Sequence, residues 1–289
     1  MAEEFQYAQY ERARALLELN RYNEAIKAVE EYIRTYPEDA DGYTLLGKIY
    51  LYINESEKAL HWVYEAMKKD PESWFAWQTY IGALYAIKDW TTLPKALENA
   101  LSLYPEDDYF YMIKCCGEIR DEDFEQAEIS IKKALRIEPE NAFYLSIYSY
   151  ILSIQERDEE SRECEAQALK NSVENEYVFL YCAWAADYRG ELELSREYLK
   201  NAIRLHPTNE QIRENYLDAL QKQYWFYRIF VPPTNTKTST IVVMVIIWII
   251  AWLIYKPLIF VFIFLYVLSY WSSKLIVHVK VFGWSFRKN

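Results

Sequence analysis

The sequence predicts an all-α protein: an α-solenoid of six helix–turn–helix repeats, a capping helix and a C-terminal transmembrane helical hairpin. Three observations predict it. Breakers are scarce, with 6 glycines and 9 prolines in 289 residues, which leaves room for little besides helix. Apolar residues recur at helical spacing in segments that repeat with a period of 34. The stretch from Thr240 to Trp271 carries no charge except Lys256.

The repeat comes first along the chain. Pro37, Pro71, Pro105 and Pro139 are spaced by 34, and Pro207 lies 68 further on, so the absent member falls at Val173. Ala66, Ala100, Ala134, Ala168 and Ala202 are also 34 apart. Each repeat holds two apolar helical runs with a polar turn between them. The turns are in phase: Asn20-Arg21, Asn54-Glu55, Lys88-Asp89, Glu122-Asp123, Glu156-Arg157 and Gly190-Glu191. Proline closes the second run because it cannot continue the hydrogen-bond ladder and turns the preceding residue away from α. The alanine lets two helices approach closely. The expected repeats are 6–39, 40–73, 74–107, 108–141, 142–175 and 176–209, all within 1–209. Such pairs cannot bury their apolar faces alone and must stack.

A cap for the last repeat is expected over 210–231, where Ile212, Tyr216, Leu220 and Tyr224 keep helical spacing. The segment 232–240 reads as a linker, 241–272 as a membrane hairpin turning at Lys256-Pro257, and 273–289 as a basic cytosolic tail. A single helix of about 31 residues would reach about 46 Å against a hydrocarbon core of about 30 Å. It would also hold Lys256 near the midplane, at roughly 2.5–3.5 kcal/mol. Two crossings avoid both problems, and proline suits the first turn of a second helix.

Charge agrees with this layout. Residues 232–289 hold six basic and no acidic residues, whereas 1–231 holds 26 basic against 43 acidic, net −17. The acidic body excludes nucleic acid as a partner. The basic tail suits an anionic lipid bilayer. The start "MAEEFQYAQYERAR" is acidic and lacks an apolar segment, so an integral membrane protein with its repeats in the cytoplasm is expected.

Residues 40–73 carry Tyr43, Leu46-Gly47, Tyr50, Ala59, Val63, Ala66 and Pro71. This resembles the tetratricopeptide repeat pattern at every position, and the resemblance extends over about 70% of the chain. Departures occur: Tyr32 stands at the alanine position of repeat one, Gly82 is one place late and Leu93 replaces the middle alanine in repeat three, and Ser161 and Ser195 replace it in repeats five and six. The resemblance implies that the first helix of each repeat lines a concave groove through its positions 2, 5, 9 and 12. These positions supply Tyr10 and Arg14, then Lys48, then Gln78 and Tyr85. Tyr109 and Met112 follow, then Phe143 and Tyr150, and last Tyr177 and Trp184. Tyr7, Thr44, Phe75, Cys116, Ser146 and Leu180 share those positions. The set is aromatic and nearly uncharged. The carboxylate clamp of chaperone-binding relatives is not matched, because Tyr10 and Arg14 stand where it needs a basic residue and an asparagine.

No catalytic motif is present. His61, His206 and His278 are isolated, and the "RDEDFE" run lacks the glycine and spacing of a calcium loop. Cys115, Cys116, Cys164 and Cys182 have no metal-ligand spacing and read as free thiols. The expected protein is not an enzyme and uses no cofactor or metal. It is a membrane-anchored scaffold or adaptor whose groove binds a protein or peptide partner. The alternative is a non-catalytic subunit of a membrane-embedded transport, secretion or envelope-synthesis complex that makes its contacts through the hairpin.

Overall fold

The computed structural model describes residues 2–171, 174–224, 226–227 and 258–282. Among them the regular elements are fourteen helices. Four pairs form one compact unit, 1–139: α1 (Ala2–Glu18) with α2 (Tyr22–Thr35), α3 (Ala40–Tyr52) with α4 (Ser56–Lys69), α5 (Trp74–Ala86) with α6 (Leu93–Leu103), and α7 (Asp108–Arg120) with α8 (Phe124–Ile137). A second unit, 140–289, holds α9 (Ala142–Ile154) with α10 (Asp158–Asn171), α11 (Glu176–Tyr188) with α12 (Leu192–Leu205), α13 (Glu210–Gln221) and α14 (Leu258–Phe282).

Side chains at fixed offsets start and stop these helices. Asp39, Ser73, Asp107, Asn141, Asn175 and Asn209 are the N-caps of α3, α5, α7, α9, α11 and α13, and each side chain accepts an N–H from the first turn. Each such cap contributes about 1 kcal/mol. Within a pair, the chain reverses through a residue at positive φ: Asn20, Asn54, Lys88, Glu122, Glu156 and Gly190. Around Asn54, the amide of Asn54 donates to Leu51 O and that of Glu55 to Tyr50 O, at 3.0 and 2.8 Å. The same two bonds recur at all six turns, which is the Schellman arrangement.

Alanine sets the packing distance. Ala66, Ala100, Ala134, Ala168 and Ala202 are fully buried. A Cβ on Gly47 would lie 3.2 Å from Ala59 O, so α3 and α4 touch there. Where the pattern departs, a neighbour compensates. Tyr32 is buried, and a Cβ on Gly42 would come within 2.8 Å of its ring. The Tyr32 hydroxyl donates to Asp39, the N-cap of α3, and Gln6 donates to both. Ser161 and Ser149 each donate a hydroxyl to the other's carbonyl at 2.8 Å. Ser161 also accepts from Arg189, at 2.6 Å.

That arginine centres a buried ion network in the second unit. Its side chain is 0% exposed and its guanidinium lies 2.6 Å from Glu165 and 2.8 Å from Glu191. Tyr198 donates to the other Glu165 oxygen at 2.8 Å. The serine that replaces alanine in repeat five is thus a ligand of this arginine.

Two expected boundaries differ. The capping helix stops at Gln221, not at 231. Lys222, which follows, is buried, and its ammonium bonds Asp187 and Asp218 at 2.8 and 3.1 Å. Helix α14 runs on to Phe282, past the expected end of the hairpin at 272. No glycine or proline interrupts the chain between Pro257 and Gly283. The first arm of the expected hairpin, with Lys256 and Pro257, lies outside the described residues. Among the described residues no helix is long and apolar enough to cross a membrane. The purely apolar part of α14 ends before Ser269 and spans only about 16 Å at 1.5 Å per residue. Ser269, Ser273 and Val277 are buried, and Ser273 lies on Gln221 at the end of α13, 3.5 Å between side-chain oxygens. Phe260, Phe264 and Trp271 are exposed.

Candidate partner-binding site

From α3 on, each first helix starts at a side-chain N-cap, and in-phase side chains of neighbouring first helices come together. In the first unit α1, α3, α5 and α7 line an open groove of about 640 Å³. Of the residues expected there, Tyr10, Arg14, Lys48, Gln78 and Tyr109 line it, with Thr44 and Phe75. Glu18, Asn20 and Tyr52 add a rim from the helix C-termini, which spacing within the first helices did not reveal. Gly82, late by one place, makes room for Tyr109, because a Cβ there would meet its hydroxyl at 3.0 Å.

The groove's polar groups are set by their surroundings. Burial, and then the charge of Asp41, push the Tyr10 phenol up to about 12. Burial, and then Asp107, do the same to Tyr109, also to about 12. Arg14 pairs with Glu11 and Glu18 at 3.5 and 3.4 Å in solvent, contacts of little energetic weight. Lys48 is exposed and makes no ion pair among the described residues. Met112 is buried and accepts from the Cys116 thiol at 3.8 Å, so it is packing and not surface. Tyr85 packs edge-on against Trp90, 5.4 Å between centroids, and does not line the groove.

In the second unit the same helical positions hold rings that pack on one another. Phe143 of α9 meets Tyr177 and Tyr181 of α11 at 6.4 and 5.7 Å. Tyr150 meets Tyr181, Trp184 and Tyr188 at 5.9, 5.6 and 5.6 Å. Tyr181 and Tyr188 were not among the expected residues. They lie four residues beyond Tyr177 and Trp184, on the same helix face, and that spacing was the available signal. The Trp184 indole donates to Asn215 of α13 at 2.8 Å. Tyr177 is exposed, whereas Ser146 and Leu180 are buried.

Elsewhere the chemistry is quiet. The four cysteines are free thiols. Burial pushes the Cys115 and Cys182 thiols well up and Cys164 to about 11, which keeps them unreactive. His61 packs on Trp62, and His206 lies 3.0 Å from Glu176. Among the described residues no group of His, Cys, Asp and Glu could hold a metal.

Comparison with known proteins agrees with the helix pairs. Residues 10–73 match the tetratricopeptide repeat family model. Tetratricopeptide repeat protein 33 of Mus musculus is 33% identical over 90 residues, 31% of this chain and 34% of that one. Its Homo sapiens counterpart is 30% identical over 91 residues, 32% and 35% of the two chains. The match thus spans about a third of the length of either relative. Among solved structures, Pseudomonas aeruginosa pilF superposes with a TM-score of 0.60 at 18% identity, over 73% of this chain and 96% of that one. A tetratricopeptide repeat protein of Parabacteroides merdae gives 0.61 at 11% identity, over 74% and 84%. PilW, a type IV pilus biogenesis factor, gives 0.59 at 16% identity, over 73% and 97%. At such identities the likeness is one of fold. Residues 10–73 are thus similar to tetratricopeptide repeats, and the helix pairs share the fold of a solved tetratricopeptide repeat protein.

Proposed function

We propose that the chain is a non-catalytic scaffold that holds a protein or peptide partner along its inner helix faces and is kept at a membrane by its apolar C-terminal segment. The observation that carries the first part is the groove of about 640 Å³ lined by four successive first helices. Exposed Phe75 and Lys48 give it an apolar contact and a cation, and aromatic anchors of this kind dominate binding energy. For the membrane part, support comes from the run of apolar residues through 241–272 and the exposed Phe260, Phe264 and Trp271 on α14. The repeats and the basic tail would share the cytosolic side, with 241–272 re-entering through Lys256-Pro257.

Affinity capture from native membranes with residues 1–231 and with the full chain tests the division of labour. Recovery of the same partner by both places recognition in the repeats. Recovery by the full chain alone favours the second reading, a subunit of a membrane-embedded complex, for which the exposed apolar surface of α14 speaks. Depth is read with Asn235→Cys, Lys256→Cys and Ser285→Cys, each in a background without native cysteines, probed on sealed cells with an impermeant thiol reagent. Labelling at 256 alone means two crossings. Labelling at 285 but not at 235 means one, and labelling at none means a shallow wedge.

A further inference from the structure

Five second helices, α2, α4, α8, α10 and α12, have 14 residues, and α6 has 11. Its end, Leu103, lies 34 after the end of α4, but its start at Leu93 is three residues later than the start of α4 predicts. The missing turn is written in "DWTTLP". The Asp89 carboxylate accepts the amides of Thr91 and Thr92 at 3.2 and 3.0 Å, a local bond that competes with helix. Pro94 fits only the first turn. Trp90 packs on Tyr85 and under the Arg120 guanidinium, 4.4 Å from the ring centroid.

The lost turn coincides with a cleft of about 540 Å³ bounded by α4, α5 and α6, a size that accepts a large side chain or a small ligand. Trp77 and Tyr80 form its buried part, and Tyr64 and Met67 come from α4. It shares no lining residue with the inner groove. The formally charged side chains lining it are Lys68 and Lys95, with no carboxylate. Lys68 pairs with Glu65 on its own helix at 2.5 Å. Lys95 makes no ion pair among the described residues. Two lysines without a lining acid stand out in a body of net −17, and they are too few for a nucleic-acid backbone.

We infer that this cleft is a second docking site, for an acidic peptide segment that buries one large apolar side chain against Tyr64, Met67 and Trp77 and sets a carboxylate beside Lys95. The test uses the full chain in detergent and two hexapeptides, each carrying one benzophenone side chain, flanked by aspartates in one and by lysines in the other. Irradiation should attach the acidic peptide to Tyr64, Met67 or Trp77 at least five-fold more than the basic one. Lys95→Glu, on an exposed position, should cut that yield at least five-fold, and circular dichroism should show its helicity unchanged. Equal attachment of the two peptides, attachment in the α1–α3–α5–α7 groove instead, or indifference to Lys95→Glu would overturn the assignment. So would attachment abolished by phosphatidylserine vesicles that also shield Lys95 from acylation, since a lipid surface would then be the better occupant.

Discussion

The two compact units use the same helix positions for opposite ends. In the first, positions 2 and 9 of the first helices hold Lys48, Phe75 and Tyr109 around an open groove. In the second, those positions hold Phe143, Tyr150, Tyr177 and Trp184, whose rings lie within 6.4 Å of one another or of Tyr181. A repeat position therefore fixes direction, not role. The difference lies at position 9, where Arg14, Lys48 and Gly82 leave space for a partner and Tyr150 and Trp184 consume it. The second unit also places a buried ion network where the first relies on alanine packing.

The largest expected effect breaks that network. Arg189→Leu leaves Glu165, itself buried, without its cation, and should destabilise the second unit by about 3–5 kcal/mol. Chemical denaturation of residues 1–231 measures it. Equal stability would mean that the pair is not held in solution. Next is a matched pair of truncations. Tyr150→Ala removes three ring contacts and should cost about 2–3 kcal/mol. Phe75→Ala, exposed on the groove, should change stability by less than about 0.5 kcal/mol yet weaken partner binding by about 1–4 kcal/mol. If Phe75→Ala proves the more destabilising, the contrast between the units is wrong.

A smaller loss follows from Ala66→Leu, roughly 1–3 kcal/mol through overpacking of α4. An unchanged denaturant midpoint would contradict the close approach at that alanine. The smallest change is a gain. Lys88 holds φ +59, which costs a residue with a Cβ and costs glycine little. Lys88→Gly should stabilise the first unit by about 0.5–1 kcal/mol, visible as a raised midpoint. Loss of stability would show that the Lys88 side chain makes a contact of its own.

Periodic features were legible because each answers a local steric demand that recurs every 34 residues. The turns, the alanines and the prolines are of this kind. So are the N-caps: the quartets YPED, DPES, YPED, EPEN and HPTN each end in the cap residue. Compensations were not legible. Nothing in the sequence ties Tyr32 to Gly42, or Arg189 to Glu165 twenty-four residues earlier, since such partners meet only once the helices stack. For the site, the resemblance to tetratricopeptide repeats named Tyr10, Arg14, Lys48, Gln78 and Tyr109 of the groove lining, but not which positions would be buried. Met112 and Tyr109 have the same register of exposure on paper, and only packing separates them.

The turns within pairs have a kinetic consequence. The residue whose amide closes the first helix also opens the second with its carbonyl. Glu55 N–H donates to Tyr50 O while Glu55 O accepts from Ala59, and Asp123 and Glu191 do the same in their pairs. One residue thus belongs to two helices, and neither can fray at that end without disturbing the other. The quantum of opening should be the helix pair, and amide hydrogens on both members should exchange at a common rate. Bending motions are then left to the proline-marked joints between pairs.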